Sequence, residues 1–117
     1  MNRKLVRVQT LRATPSRMIY VVWQFQVSPY NRIEFEKAYR NDGVWAQLFR
    51  KDPAYVRTTL VREAEHAGSY LTIDIWKDRE SYLEFKHRFA AEYSKIDSQC
   101  EALTESERLI GFFEEAG

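Results

Sequence analysis

From Met18 to Val27 the chain alternates with a period of two. Ile19, Val21, Trp23, Phe25 and Val27 fall on one side, and Tyr20, Val22, Gln24 and Gln26 on the other. β-branched and aromatic residues at that period predict a strand. One face is wholly apolar and the other mixed, so the strand belongs to a sheet covered on both sides. Ser28-Pro29 ends it, because proline cannot continue a central ladder.

The period then changes. Asn31 with Glu34 reads as a capping box, followed by a helix presenting Ile33, Phe35, Ala38 and Tyr39. Asn41-Asp42-Gly43 breaks that helix. A short second one carries Val44, Trp45, Leu48 and Phe49 on one side. Tyr55 to Arg62 reads as a strand, 63–68 as a polar loop, and Tyr70 to Trp76 as a third strand in an antiparallel hairpin. Asp78 or Ser81 caps the next helical region. Its stripe is Tyr82, Phe85, Phe89, Tyr93 and Ile96, spaced by three and four. A last strand covers Leu109 to Phe113.

The order β, α, β, β, α, β predicts an α+β, ferredoxin-like protomer with an antiparallel sheet. Right-handed crossovers put the first and third strands at the centre and the helices on one face. The other face needs a cover, and a second copy packed sheet against sheet supplies one. The expectation is a homodimer through the face carrying Tyr70, Thr72, Asp74 and Trp76, with Trp76 in an exposed patch.

Composition removes several classes. The 117 residues are 44% apolar, 15% aromatic and 30% charged, which excludes a disordered chain. The single cysteine, Cys100, forbids an intrachain disulfide and points to a reducing, cytoplasmic compartment. With His66 and His87 as the only histidines, the usual zinc ligand sets cannot be assembled, and no metal is expected. Residues 1–17 carry five basic and no acidic side chains, and the remainder carries thirteen basic and seventeen acidic. The expectation is a flexible basic leader over 1–17, ahead of one domain over 18–117. Met18 as an alternative start and a targeting peptide stay open for that segment. No phosphate-binding glycine loop, nucleophile elbow or HExxH occurs, so nucleotide, flavin and nicotinamide sites are unsupported.

Three stretches are similar to the antibiotic biosynthesis monooxygenase group of dimeric α/β-barrel proteins. They are Tyr20 to Val27, Asp42 to Phe49, and Tyr70 to Trp76 running on to Tyr82 and Phe85. The resemblance covers Tyr20 to Phe113. It implies a sheet-to-sheet dimeric α/β barrel and, within the superfamily, several chemistries. Among them are cofactor-free oxidation of hydroquinone-like intermediates by O₂, haem degradation and quinol oxidation. The haem-degrading branch uses an asparagine, a tryptophan and a histidine. Those positions fall near Trp23 or Gln24, at about Phe85, and between Tyr93 and Lys95, and none of them holds the type it requires. The resemblance therefore implies a cofactor-independent monooxygenase or oxidase of an aromatic, hydroquinone- or quinol-like molecule. The alternative is a non-catalytic, dimeric ligand-binding or accessory protein of the same fold.

The residues offer a matching pocket. Trp23, Phe25, Tyr39, Trp45, Phe49, Tyr82, Phe85, Phe89 and Tyr93 can line an apolar space between sheet and helices, and packed core is the competing reading. Trp23, Trp45, Tyr82 and Asp74 are the catalytic candidates, the first three as hydrogen-bond donors to a substrate oxygen. Asp74 stands mid-strand, where an acid is disfavoured. It is expected either in an interface ion pair with Arg57 or Arg62, beside Gln24 or Gln26, or as a buried base with a raised pKa. His87 is off the inward stripe. His66 lies in the hairpin loop, and Cys100 has no histidine at a suitable spacing.

Overall fold

The computed structural model describes residues 17–117; the basic leader falls almost wholly outside them. The elements run β1 (Ile19–Gln26), α1 (Arg32–Tyr39), α2 (Val44–Phe49), β2 (Tyr55–Arg62), β3 (Ser69–Trp76), α3 (Arg79–Arg88), α4 (Ala90–Cys100) and β4 (Ser106–Phe113). All strand pairs are antiparallel, in the order β2-β3-β1-β4. That is the α+β, ferredoxin-like arrangement, with the first and third strands at the centre. Among the described residues, no helix is long and apolar enough to cross a membrane.

The register decides which side chains meet. Ile19 pairs with Trp76, Val21 with Asp74, Trp23 with Thr72 and Phe25 with Tyr70. Directly paired residues share a face. Trp76, Asp74, Thr72 and Tyr70 therefore look toward the helices together with the apolar side of β1. All four are under 9% exposed, and Trp76 is 0% exposed. This corrects the expected interface: the set assigned to the dimer face lies inside the protomer. The open face instead carries Tyr20, Val22 and Gln24 from β1 and Leu71, Ile73 and Ile75 from β3, with Val61 on the β2 side and Phe113 on the β4 side.

The helices differ from expectation in three places. Asn31 makes no capping bond to α1. Its carboxamide nitrogen donates instead to Ser28 Oγ (3.4 Å) and the Ala102 carbonyl (3.3 Å), and Pro29–Asn31 forms a 3₁₀ turn. Ile33 is then rotated outward, while Phe35 and Tyr39 are buried. The third helical region breaks at Phe89 (φ −106°, ψ 28°) into α3 and α4. Asp78 does cap α3, accepting from the Ser81 N–H at 2.7 Å.

The turn between α1 and α2 leaves no room for a side chain. A Cβ on Gly43 would run into the carbonyl oxygens of Lys37 and Ala38, which are backbone and cannot swing away. Gly43→Ala is expected to cost about 2 kcal/mol or more. That lowers the thermal midpoint by roughly 8 °C or more, which differential scanning calorimetry reads directly.

Candidate active site

β1 and β3 bring the aromatic side of the sheet under α1, α2 and α4, and the packing there is not closed. A cavity of about 210 Å³ remains. Trp23 and Phe25 come from β1, Tyr39 from α1, Trp45 and Phe49 from α2, and Tyr93 from α4. Thr58, Thr72 and Asp74 form its polar floor on the sheet. Lys86, Asp97 and Glu107 complete the wall from α3, α4 and β4. The rings grip one another: Trp45 stands edge-on to Tyr93 at 4.9 Å, and Phe25 lies 4.9 Å from Tyr39.

Of the nine aromatic residues named from the sequence, the structure brings Trp23, Phe25, Tyr39, Trp45, Phe49 and Tyr93 to this cavity. Tyr82, Phe85 and Phe89 are not among its walls. Tyr82 and Phe85 are buried against Trp76, with ring centroids 5.5 and 5.0 Å from it. Phe89 stacks on Phe85 at 4.9 Å. His87 is exposed. His66 Nδ1 lies 3.1 Å from Glu63 Oε2 in the hairpin loop.

Asp74 is 7% exposed and is the one buried acid on the cavity wall. It meets neither arginine expected beside it. Arg57 donates to Thr59 Oγ1 (2.9 Å) and Arg62 to Glu36 Oε2 (3.1 Å). Gln24 accepts from Arg108, and Gln26 donates to Ser69 Oγ. Asp74 Oδ1 accepts from Thr58 Oγ1 at 2.6 Å, and Tyr55 Oη lies 2.7 Å from the same Thr58 oxygen. Among the described residues, Oδ2 has no hydrogen-bond partner.

Burial raises the Asp74 pKa from 3.8 to about 6, against the lowering effect of the Thr58 bond. Burial also pushes Tyr82 up to about 12, and Tyr39 and Tyr93 above the ordinary phenol range. The cavity tyrosines therefore keep their protons at neutral pH, when Asp74 is mostly ionised. Glu107 is raised by partial burial and then by Asp97, but both side chains are exposed at the cavity's edge. The Trp45 indole N–H is buried without a hydrogen-bond partner among the described residues. The site thus combines flat apolar walls and one buried carboxylate with a free oxygen.

Thr58, Lys86, Asp97 and Glu107 were not singled out in the sequence, and Thr72 was named there only for the expected dimer face. Lys86 and Asp97 carried a signal, each four residues beyond a tyrosine of the helical stripe, Tyr82 and Tyr93. The strand threonines are indistinguishable by pattern from ordinary sheet residues.

The cavity can be set beside known proteins. A point variant of SnoaB, a cofactor-independent oxygenase from Streptomyces nogalater, superposes with a TM-score of 0.69. It is 23% identical over 87% of this chain and 96% of that one. A conserved protein from Methanosarcina mazei gives a TM-score of 0.64 at 15% identity, over 86% of this chain and 94% of that chain. A protein from Pseudomonas aeruginosa gives 0.64 at 11% identity, over 89% and 99%. At these identities the likeness carries the fold. No curated protein matches the chain in sequence. Residues 18–93 match the family model for antibiotic biosynthesis monooxygenase, more than half the chain and every cavity-lining residue except Asp97 and Glu107. The chain belongs to the antibiotic biosynthesis monooxygenase family.

Proposed function

We propose that this protein is a cofactor-independent monooxygenase of an electron-rich aromatic phenol or hydroquinone, with Asp74 as the base. The observation that carries the reading is the buried carboxylate in the floor of an aromatic cavity. A proton taken from a bound phenol or its benzylic carbon leaves an electron-rich anion. That anion passes an electron to O₂, and the two radicals combine to form a carbon–oxygen bond. Cleavage of the O–O bond then leaves one oxygen atom in the product carbonyl and releases the other as water. A CH₂ group plus O₂ becomes C=O plus H₂O, which balances without another reductant. The aromatic walls stack the ring and keep bulk water from the anion. Trp45 contributes its ring face to that stack. Closed cavities of about 150 Å³ take benzene, so this one, which opens to the surface, seats one or two rings of a larger fused substrate.

The reading is tested by O₂ uptake against anthrones, naphthohydroquinones and quinols. Expected is uptake above autoxidation that falls in Trp45→Phe and Trp23→Phe variants. Uptake equal to buffer for every compound, despite binding seen as a thermal shift, would instead favour a non-catalytic binding protein. The rate also has an expected pH dependence. Asp74 works only when ionised, so kcat/KM rises tenfold per pH unit below about 6 and levels off above it. A profile flat between pH 5 and 8 removes Asp74 from the role of base.

The open sheet face supports a homodimer. Val22, Leu71 and Ile73 stand at its centre, outside the protomer's own core cluster. A two-fold axis would place this aliphatic patch against itself.

A further inference from the structure

Tyr55 and Thr58 are three residues apart on β2. In a regular strand that spacing puts them on opposite faces. Here Tyr55 pairs with Trp76 while Arg57 pairs with the next residue, Ile75, so Val56 is an extra residue. The bulge turns Tyr55 and Thr58 to the same, helix-facing side, and their hydroxyl oxygens meet at 2.7 Å. Bulges re-aim side chains in this way beside functional sites. The strand is pinned there, because the Thr58 N–H donates to Asn41 Oδ1 at 2.9 Å.

The direction of the bonds follows from proton count. An ionised Asp74 can only accept. Thr58 has one hydroxyl proton and gives it to Asp74 Oδ1 at 2.6 Å. The contact between Tyr55 and Thr58 then requires Tyr55 to donate, and burial keeps that phenol protonated. We propose that Thr58 and Tyr55 are positioning residues for Asp74: the bulge at Val56 assembles a one-way hydroxyl chain that holds the carboxylate ionised and leaves Oδ2 as the proton acceptor. This rests on the reading of Asp74 as the base. The other titratable groups on the walls are Tyr39 of α1, Lys86 of α3, Tyr93 and Asp97 of α4, and Glu107 of β4. Tyr82 of α3 lies beneath them. The Lys86 ammonium sits over the Tyr93 and Tyr82 rings, at 5.0 and 5.7 Å, and makes no ion pair with Asp74. The hydroxyl chain is thus the hydrogen-bonded support of the charge on Asp74.

The test is a carbon-13 NMR titration of the Asp74 carboxyl, assigned by its loss in Asp74→Asn. It needs no turnover. In Thr58→Val the midpoint is expected to rise by about 1–2 pH units, the range for a lost hydrogen bond to a charged group. Thr58→Ser keeps the hydroxyl and is expected to stay within about 0.3 pH units of wild type, and Tyr55→Phe to rise by about 0.5, a fraction of the direct bond's effect. If Thr58→Val does not fold, Thr58→Ala carries the same expectation. A midpoint unchanged or lowered in the valine or alanine variant overturns the proposal. An Asp74→Asn variant that still turns over would remove the base assignment and leave the titration result standing, so the two failures are separable.

Discussion

Replacing Asp74 by asparagine is expected to lower kcat by about 10²–10⁴-fold, the usual contribution of a positioned base, while making the protein more stable above pH 7. The two effects have one origin. The folded chain holds the Asp74 proton more tightly than the unfolded chain, with the pKa at about 6 against 3.8. Between those values the native state binds more protons, so rising pH removes stability until the group is ionised in both states. The loss is on the order of 3 kcal/mol for two pKa units, present in full above about pH 7 and absent below about pH 3. Asparagine has nearly the same shape and keeps an oxygen for Thr58, but carries no charge to desolvate. Recovering even a third of that loss raises the thermal midpoint by about 4 °C or more at pH 8. At pH 3 the gain vanishes. Calorimetry at the two pH values checks this: a variant less stable than wild type at pH 8 would mean that the carboxylate is compensated rather than strained.

The second large effect is on assembly. Ile73 pairs with Val22 and Thr59 on the open face, beside Leu71. In the proposed sheet-to-sheet dimer, Ile73→Asp would place an unpaired charge at the centre of the aliphatic contact, which is strongly unfavourable. Dimer affinity is expected to weaken by at least about 100-fold, or about 2.7 kcal/mol. Light scattering at micromolar concentration should read twice the chain mass for wild type and once for the variant. Trp76→Phe, by contrast, should leave the mass unchanged, because Trp76 is 0% exposed inside the protomer. A monomeric wild type would contradict the dimer.

The contrast between Ile73 and Trp76 shows where sequence reading failed. Strand β1 was legible because only one of its faces is wholly apolar. β3 was not, because both faces are largely hydrophobic: Leu71, Ile73 and Ile75 against Tyr70, Thr72, Asp74 and Trp76. Reading the purely aliphatic set as the core is sound for a monomer. It inverts here because the protomer's interior is large, aromatic and partly polar, with Tyr70, Thr72, Asp74 and Trp76 buried under the helices. The α-helical stripe from Tyr82 to Ile96 was legible by period, but the break at Phe89 was not, since neither glycine nor proline marks it. The bulge at Val56 was equally silent. With it went the meeting of Tyr55 and Thr58 that supports Asp74. Asp74 itself was visible as an acid where strands disfavour one, but its surroundings depended on the face that was misassigned.

The most direct test of the base in the aromatic cavity is oxygen-18 labelling. Wild-type protein and Asp74→Asn would be incubated with an anthrone found to be turned over, whose CH₂ becomes the new carbonyl, under ¹⁸O₂ at pH 7.5. The product would be read by mass spectrometry. One labelled oxygen atom is expected in the wild-type product, with the second recovered as water, and formation at the autoxidation rate with the variant. Product formed at the wild-type rate by Asp74→Asn, or carrying no label from O₂, would contradict it.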